Sequence, residues 1–244
     1  MVKSDRAKRK GIPHHLDTFK QKVVLHLKTR TMHHYYILSG LGADERVFSR
    51  IDFPVNHTHL HWIENKPNET LAEYAARLAQ NIKHDNPILI GLSFGGIMAQ
   101  EIAAITPVKQ LILISTIKSK SEKPCFMDIA GSLHLPDYVP ESLLKRANKL
   151  MAYAFSLVNP EEQEVLQSCF ENSSPDHLRW AMNRIANWEG VETNTPIFHI
   201  HSTKDRIFSS NKDEADAQIP GGHFAVYTNS AELNEMLQKL YDKF

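Results

Sequence analysis

The sequence lacks the features that mark several classes of protein. It has only two cysteines among 244 residues, Cys125 and Cys169, and their positions show neither a metal or redox spacing nor a disulfide framework. The 28 basic and 28 acidic residues give a formal net charge of zero, which argues against a general attraction to nucleic acid or anionic membranes. No uncharged apolar stretch approaches the roughly 20 residues of a membrane helix. We therefore expect no nucleic-acid partner and no membrane insertion.

Motifs for cofactors and metals are also scarce. No phosphate loop, dinucleotide fingerprint or glycosidase carboxylate pair stands out. His57, His59 and His61 would share one face of a strand, as zinc ligands can, but no cysteine or carboxylate partner has a supporting spacing. We predict that the protein uses no metal and no cofactor.

The first 31 residues differ in composition from the rest of the chain. No apolar stretch follows their basic cluster, so they are not a secretory signal. We predict a solvated extension on a cytoplasmic protein, with an organelle-targeting or nucleic-acid-binding arm as the alternative. Within this part, the run "QKVVLHLKT" alternates well enough to form a strand. The basic cluster consists of Lys3, Arg6, Lys8, Arg9 and Lys10.

From Met32 onward, short apolar runs alternate with helical patterns, which predicts a mostly parallel sheet with helices on its faces. We expect about six strands. Thr70 and Glu73 form a capping box before one helix, and another helix runs from Phe94 to Ile105. A last helix begins near Ser230. The predicted strands lie in the runs "YYILSG", "HTHLHWIE", "PILIGL", "KQLILIST" and "PIFHIH".

The alternation stops between residues 118 and 195, where only helices are predicted. Helix starts are indicated at Asn159-Pro160 and at Ser174-Pro175, each a capping residue followed by proline and acidic residues. The chain is therefore divided into an extension at 1–31, an α/β core at 32–117 and 196–244, and a helical insertion at 118–195. The large aromatic residues of the insertion either pack against the core or line a substrate pocket: Phe126, Trp180 and Trp188.

The stretch "ILIGLSFGGIMAQ" places Ser93 between an apolar strand and a helix, with Gly91 two residues before it and Gly95 two residues after it. A sharp strand-to-helix turn strains the corner residue, and small neighbours avoid clashes across the turn. The pattern is that of a nucleophile elbow. The N–H of Phe94 at the helix start would stabilise negative charge on an oxygen bound beside Ser93.

A serine hydroxyl needs a base and an orienting carboxylate to act as a nucleophile. Asp205 follows the strand "PIFHIH", and His223 lies in a glycine-containing loop before the last helix, so we assign the carboxylate and the base to these two residues. The rival residues are two strand histidines, one helix histidine and three acids in a polar stretch: His199, His201, His177, Asp213, Glu214 and Asp216.

The order and setting of these motifs resemble the α/β-hydrolase superfamily: Ser39-Gly40-Leu41-Gly42, Gly91-Leu92-Ser93-Phe94-Gly95-Gly96, Asp205 and Gly222-His223. The resemblance covers roughly Tyr35 to the C-terminus. It implies that superfamily's fold, a helical lid formed by the insertion, and a Ser-His-Asp acyl-transfer mechanism. Two departures are visible, because many members have His-Gly at Ser39-Gly40, and the usual antiparallel first hairpin is not evident unless "KVVLHLK" supplies part of it.

The second oxyanion donor should come from the loop after the first strand, and we assign it to the N–H of Leu41, with Gly40 and Gly42 letting the backbone approach the substrate. The predicted function is a serine hydrolase that uses water to cleave a carboxylic ester of a small to medium, partly apolar acyl substrate. A thioesterase or a carbon–carbon bond hydrolase would use the same triad. The alternative from another class is an inactive hydrolase fold that serves as a receptor or interaction module.

Overall fold

The computed structural model describes residues 33–144, 149–209 and 214–244. The basic cluster of the N-terminal extension and the predicted strand in "KVVLHLK" lie outside the described residues. No described helix is both long and apolar enough to cross a membrane. The cytoplasmic location stays a prediction.

The centre of the structure is one six-stranded sheet in which every neighbouring pair of strands is parallel. The strands are β1 Tyr35–Leu38, β2 His57–His59, β3 Ile88–Leu92, β4 Gln110–Ile114, β5 Ile197–Ser202 and β6 Ala217–Ile219. Their spatial order is β2-β1-β3-β4-β5-β6. Every residue of β1 and β3 is buried, as expected for parallel strands that are covered on both faces. The predicted sheet is thereby confirmed.

The five strands predicted from Met32 onward all form, whereas β6 was not predicted. It contains three residues, "AQI", which follow a polar stretch. Such a run is too short to show alternation, so β6 is defined only by its pairing with β5, in which Ile200 faces Ala217. The expected number of about six strands is therefore correct. The strand that was not predicted individually, β6, is the edge strand next to β5.

Two helices on the core follow the predicted bounds closely. Helix α1 is Leu71–Ala79 and begins with the capping box in which the Thr70 hydroxyl and the Glu73 carboxylate each accept from the other's backbone N–H. Helix α2 is Phe94–Ile105, follows β3 directly, and packs against α1. The chain ends in α8 Ala225–Thr228 and α9 Ser230–Tyr241.

Between β4 and β5 the described residues contain helices and no strand, as predicted. We call residues 117–195 the helical segment. Both predicted helix starts are present, since a capping box at Asn159 precedes α6 and the Ser174 hydroxyl caps α7. Its α-helices are α3 Cys125–Ser132, α4 Glu141–Leu144, α5 Lys149–Phe155, α6 Pro160–Asn172 and α7 Pro175–Ala186, with short 3-10 helices at Lys120–Glu122 and Leu135–Tyr138.

Two tryptophans attach the helical segment to the core. The Trp180 ring is 7% exposed, and its Nε1 donates to the Glu69 carbonyl at 2.8 Å. Trp188 is 4% exposed, and its Nε1 donates to the Glu101 carboxylate at 2.8 Å. A buried indole is stable only when its N–H finds an acceptor, so these bonds satisfy both rings while their carbon surfaces join the core.

His177 lies among the aromatic rings beside Trp180. Its imidazole is stacked on Trp180 at 5.5 Å between centroids, with Trp62 and Tyr74 both at 5.9 Å. Neither ring nitrogen has a hydrogen-bond partner among the described residues. Burial therefore disfavours the charged form and lowers the pKa of His177 to about 4.

We predict that His177→Phe weakens the loss of stability on acidification. The unfolded chain takes up a proton at His177 near pH 6.5, but the folded protein does so only near pH 4, so lowering the pH across this window favours unfolding. The substitution removes this contribution, which is at most about 3 kcal/mol. The measurement is urea unfolding at several pH values from neutral to about pH 4.

The matched control is His61→Phe, at a position with an exposed side chain. It should unfold with the same pH dependence as the unmodified protein. An unchanged pH dependence in His177→Phe would show that His177 is not held neutral by its surroundings.

Candidate active site

Ser93 occupies the corner between β3 and α2 in a strained backbone conformation. Its φ is 53° and its ψ is −120°, a region that residues with a side chain rarely adopt. Two hydrogen bonds hold the corner, because the Ser93 N–H donates to the Ile114 carbonyl at 2.9 Å and the Thr116 hydroxyl donates to the Ser93 carbonyl at 2.7 Å. The side chain is consequently presented at the carboxyl end of β3, where open α/β sheets bind ligands.

The glycines around Ser93 are required by close backbone packing. A Cβ on Gly91 would lie 2.5 Å from the Gly95 carbonyl oxygen, and a Cβ on Gly95 would overlap the carbonyl oxygens of Leu38 and Ser39. Because backbone atoms cannot rotate aside as a side chain can, both positions exclude alanine sterically. The start of α2 is thus packed tightly against the end of β1.

The structure brings Ser93, His223 and Asp205 into one chain of hydrogen bonds. His223 Nε2 is 2.8 Å from Ser93 Oγ, and His223 Nδ1 is 2.8 Å from Asp205 Oδ2. An ionised carboxylate only accepts, so Nδ1 carries the proton and Nε2 is free to accept from the serine hydroxyl. Ser93 follows β3, Asp205 follows β5 and His223 follows β6, and the carboxyl ends of these parallel strands lie at the same edge of the sheet.

The Asp205 carboxylate is buried and fully engaged. Its side chain is inaccessible to solvent, and its Oδ1 accepts from the backbone N–H groups of Ile207 at 2.8 Å and Phe208 at 2.9 Å. Burial alone would raise the pKa of Asp205, but the charge and hydrogen bond of His223 and the N–H of Phe208 outweigh it and hold the pKa below its usual value. Asp205 is therefore ionised at neutral pH.

The rival acids and bases that lie among the described residues do not have this geometry. His199 and His201 lie inside β5, and His177 lies in α7. Among the acids, Glu214 and Asp216 are exposed, and Asp216 Oδ2 accepts from the His199 N–H at 2.8 Å. Asp213 lies outside the described residues. In the described part of the chain, no group of three or more histidine, cysteine, aspartate or glutamate side chains is arranged to hold a metal ion.

The two residues whose backbone N–H groups are predicted to form an oxyanion hole, Leu41 and Phe94, lie at the ends of elements that meet at Ser93. Phe94 opens α2, where the first N–H groups of a helix have no intrahelical acceptor. Leu41 lies in the turn after β1, and a Cβ on the adjacent Gly40 would be 3.4 Å from Ser93 Cβ. Neither the Leu41 nor the Phe94 N–H donates to another described residue.

Gly42 is constrained by its backbone conformation and by packing against the helical segment. Its φ is 66°, and a Cβ there would lie 2.9 Å from both Leu178 and Phe170 of the helical segment. The position needs glycine because the backbone is left-handed and because the helical segment packs directly on it. These two constraints account for glycine at this position, and the approach of its backbone to a substrate stays a prediction.

A cavity of about 570 Å³ opens above Ser93 and His223. Its wall is almost entirely apolar and comes mainly from the helical segment. Of the three aromatic residues expected either to pack or to line a pocket, Phe126 lines the cavity, whereas Trp180 and Trp188 are buried in the core, where their indole N–H groups are bonded. The sequence missed several lining residues, since apolar residues on a helix face look alike whether they cover a cavity or a core: Met127, Met151, Phe155, Met182 and Phe208.

Comparisons with solved structures agree on the architecture. A thermophilic esterase from Thermogutta terrifontis superposes with a TM-score of 0.64 at 14% identity over 86% of this chain and 90% of that one. MenH from S. aureus gives 0.65 at 16% identity over 88% and 95%, and a bromoperoxidase from Bacillus anthracis gives 0.60 at 15% identity over 87% and 92%. The chain has the α/β-hydrolase fold. No family model and no curated protein matches the sequence.

This α/β-hydrolase fold carries a serine, Ser39, where many members have histidine. The Ser39 hydroxyl donates to the Ala43 carbonyl at 2.6 Å, and Trp62 Nε1 donates to the Gly40 carbonyl at 3.2 Å. These bonds hold the turn that contains Leu41 from both of its sides. The departure from the usual residue therefore leaves a well-anchored loop beside Ser93.

We predict that Gly95→Ala destabilises the fold by about 1–3 kcal/mol or more, because the new methyl group would overlap two backbone carbonyls. Urea unfolding measures the effect. Gly40→Ala is the matched control: its Cβ would make ordinary contact with Ser93, so its stability should stay close to that of the parent protein. Equal stabilities of the two variants would show that α2 does not pack this closely on β1.

Proposed function

We propose that the protein is a serine hydrolase that cleaves a carboxylic ester through an acyl-enzyme intermediate. The observation that carries the proposal is the hydrogen-bond chain from Ser93 through His223 to Asp205 at the floor of an apolar cavity. A serine alone is inert, but a serine that shares its proton with an oriented, neutral imidazole can attack a carbonyl.

In the proposed mechanism, Ser93 Oγ bonds to the ester carbonyl carbon while its proton moves to His223 Nε2. Asp205 stabilises the imidazolium that forms, without taking a proton itself. The N–H groups of Leu41 and Phe94 hold the oxyanion, and a single donor of this kind is typically worth about 3 kcal/mol of transition-state stabilisation. The α2 N-terminus adds its dipole at the same point.

The intermediate then collapses and expels the alcohol, which receives its proton from His223. Water enters, gives a proton to His223, and attacks the acyl carbon. The acid leaves as Ser93 recovers its proton. The three side chains therefore end as they began, and no cofactor is consumed.

The cavity supports a small to medium, partly apolar substrate. Its only lining groups with a titratable or nucleophilic side chain, among the described residues, are Ser93, His223 and Arg206. An apolar acyl or alcohol group would gain about 25 cal/mol for each Å² removed from water there. A thioester or a diketone with a scissile carbon–carbon bond could use the same machinery, and serine at the elbow argues against haloalkane and epoxide chemistry, which use aspartate.

We predict that Ser93→Ala folds normally, does not react with a fluorophosphonate probe and does not turn over esters, since the variant lacks the attacking oxygen. Probe labelling is measured by mass spectrometry, and turnover is measured on p-nitrophenyl esters, acyl-CoAs and vinylogous diketones. The substrate in this panel that is turned over fastest identifies the type of bond that the protein cleaves. Ser132→Ala is the control, because this serine is exposed on α3 and its hydroxyl donates to the Asp128 carbonyl of the same helix, so labelling should stay intact.

Two results would overturn the proposal. Normal ester turnover by Ser93→Ala would move the nucleophile elsewhere. Failure of the folded, unmodified protein to label and to act on any member of the panel would favour the receptor or interaction module.

We predict that Asp205→Asn lowers kcat by orders of magnitude, on the order of 10⁴-fold as in serine proteases, because the amide favours the wrong imidazole tautomer. Asp216→Asn is the control, since Asp216 is exposed and bonds to the β5 backbone. Steady-state kinetics on the preferred ester measure both variants. If Asp216→Asn loses activity and Asp205→Asn keeps it, the assignment of the acid is wrong.

A further inference from the structure

A pair of buried histidines lies behind Asp205, and the mechanism above does not use them. His199 and His201 are 2% and 1% exposed and are two residues apart on β5, so they share one face of the sheet. Buried imidazoles are costly unless their nitrogens are bonded, so two of them next to a catalytic acid call for an explanation.

The first link of the pair leads to the acid. His201 Nε2 is 2.8 Å from the Phe208 carbonyl oxygen. A carbonyl only accepts, so His201 carries its proton on Nε2. The N–H of the same Phe208 donates to Asp205 Oδ1 at 2.9 Å. Phe208 therefore accepts a hydrogen bond from His201 and donates one to Asp205, so His201 closes the turn formed by residues 205–208.

The second link leads to the nucleophile. His199 Nε2 is 3.1 Å from the Thr116 carbonyl, which only accepts, so this nitrogen carries a proton. It lies 3.3 Å from His201 Nδ1, which can accept from it only when the His201 ring is neutral. Thr116 in turn donates its hydroxyl to the Ser93 carbonyl. A continuous buried network therefore connects the turn of the acid with the turn of the serine beneath the site.

The charge state of the pair matters because His201 Nε2 is also 3.7 Å from Asp205 Oδ2, the oxygen that bonds to His223. A charged His201 would compete with His223 for this oxygen. Among the described residues, the charged groups around the pair are Asp205, Asp216, Lys118 and, when protonated, His223. Burial, the neighbouring His201 and Lys118 lower the pKa of His199 to about 4, which keeps that ring neutral at working pH.

We propose that His201 is a positioning residue for Asp205, acting as a neutral Nε2–H donor to the Phe208 carbonyl so that the carboxylate faces His223. The proposal rests on the proposed hydrolase function. His201 touches no substrate and transfers no proton in the reaction. Its contribution is the orientation of the Asp205 carboxylate toward His223.

The test compares two amides that differ only in reach. In His201→Gln the side-chain NH₂ can take the place of Nε2 and donate to Phe208, whereas His201→Asn ends near the position of Nδ1 and cannot. We expect His201→Asn to lower kcat about tenfold with KM unchanged, the effect of one lost orienting hydrogen bond. We expect His201→Gln to recover most of this loss.

The pH profile separates positioning from a general structural effect. A carboxylate that is held less well stabilises the imidazolium that forms on His223 less, so we expect the acidic limb of kcat/KM to move to lower pH in His201→Asn. His177→Asn, which removes another buried histidine, should lower stability without moving this limb. Fluorophosphonate titration gives the active fraction of each sample, so partial unfolding is not counted as lower kcat.

The outcomes distinguish this proposal from the proposed function. Absence of labelling and turnover in the unmodified protein would refute the hydrolase itself. If the unmodified protein is active and His201→Asn has the same kcat and the same acidic limb of kcat/KM, the positioning role is refuted and the hydrolase function is not. If His201→Asn does not fold, NMR titration of the His201 ring in the parent protein decides: a neutral ring protonated on Nε2 across the active pH range is expected, and a charged ring or the other tautomer would overturn the proposal.

Discussion

The whole site depends on the left-handed backbone of Ser93. This conformation costs of order 1–3 kcal/mol, and it persists because the surrounding structure allows no other path for the chain. The corner is bonded on one side to Ile114 and on the other to Thr116, and α2 begins where a side chain at residue 95 would overlap β1. Strain at one residue is therefore balanced by packing and hydrogen bonds along two strands and one helix.

Burial acts in opposite ways on the titratable groups near this corner. His177 and His199 remain neutral because burial dominates their pKa values: His177 has no hydrogen-bond partner among the described residues, and the Thr116 carbonyl and Asp216 only partly offset the loss of hydration at His199. Asp205 is buried to the same degree but remains charged, because two backbone N–H groups and the His223 ring bond to it. The difference between these residues lies in their hydrogen-bond partners and not in their depth.

Local sequence patterns predicted the parts of the structure that depend on neighbours along the chain. The elbow glycines, the capping box at Thr70 and the loops of Asp205 and His223 each have a signal within a few residues. The interactions of β6, the His199–His201 pair and the cavity-facing methionines depend on residues far apart in sequence. Gly42 shows the limit most clearly, because its neighbours in the turn give no sign that Leu178 and Phe170 will pack on it.

The helical segment contributes to the site beyond covering it. The Phe155 ring meets the His223 imidazole edge-on, with 5.2 Å between the ring centroids. On the core side, the Phe208 ring meets the same imidazole edge-on at 5.6 Å between centroids. Arg206, next to the acid, donates to the Tyr153 carbonyl and lies over the Tyr153 ring at 4.0 Å. Apolar rings around the imidazole exclude water, which strengthens its hydrogen bonds to Ser93 and Asp205. Helix α5 thus lines the cavity and also brings Phe155 against the His223 imidazole, so in the proposed hydrolase we expect changes in α5 to affect proton transfer as well as substrate fit.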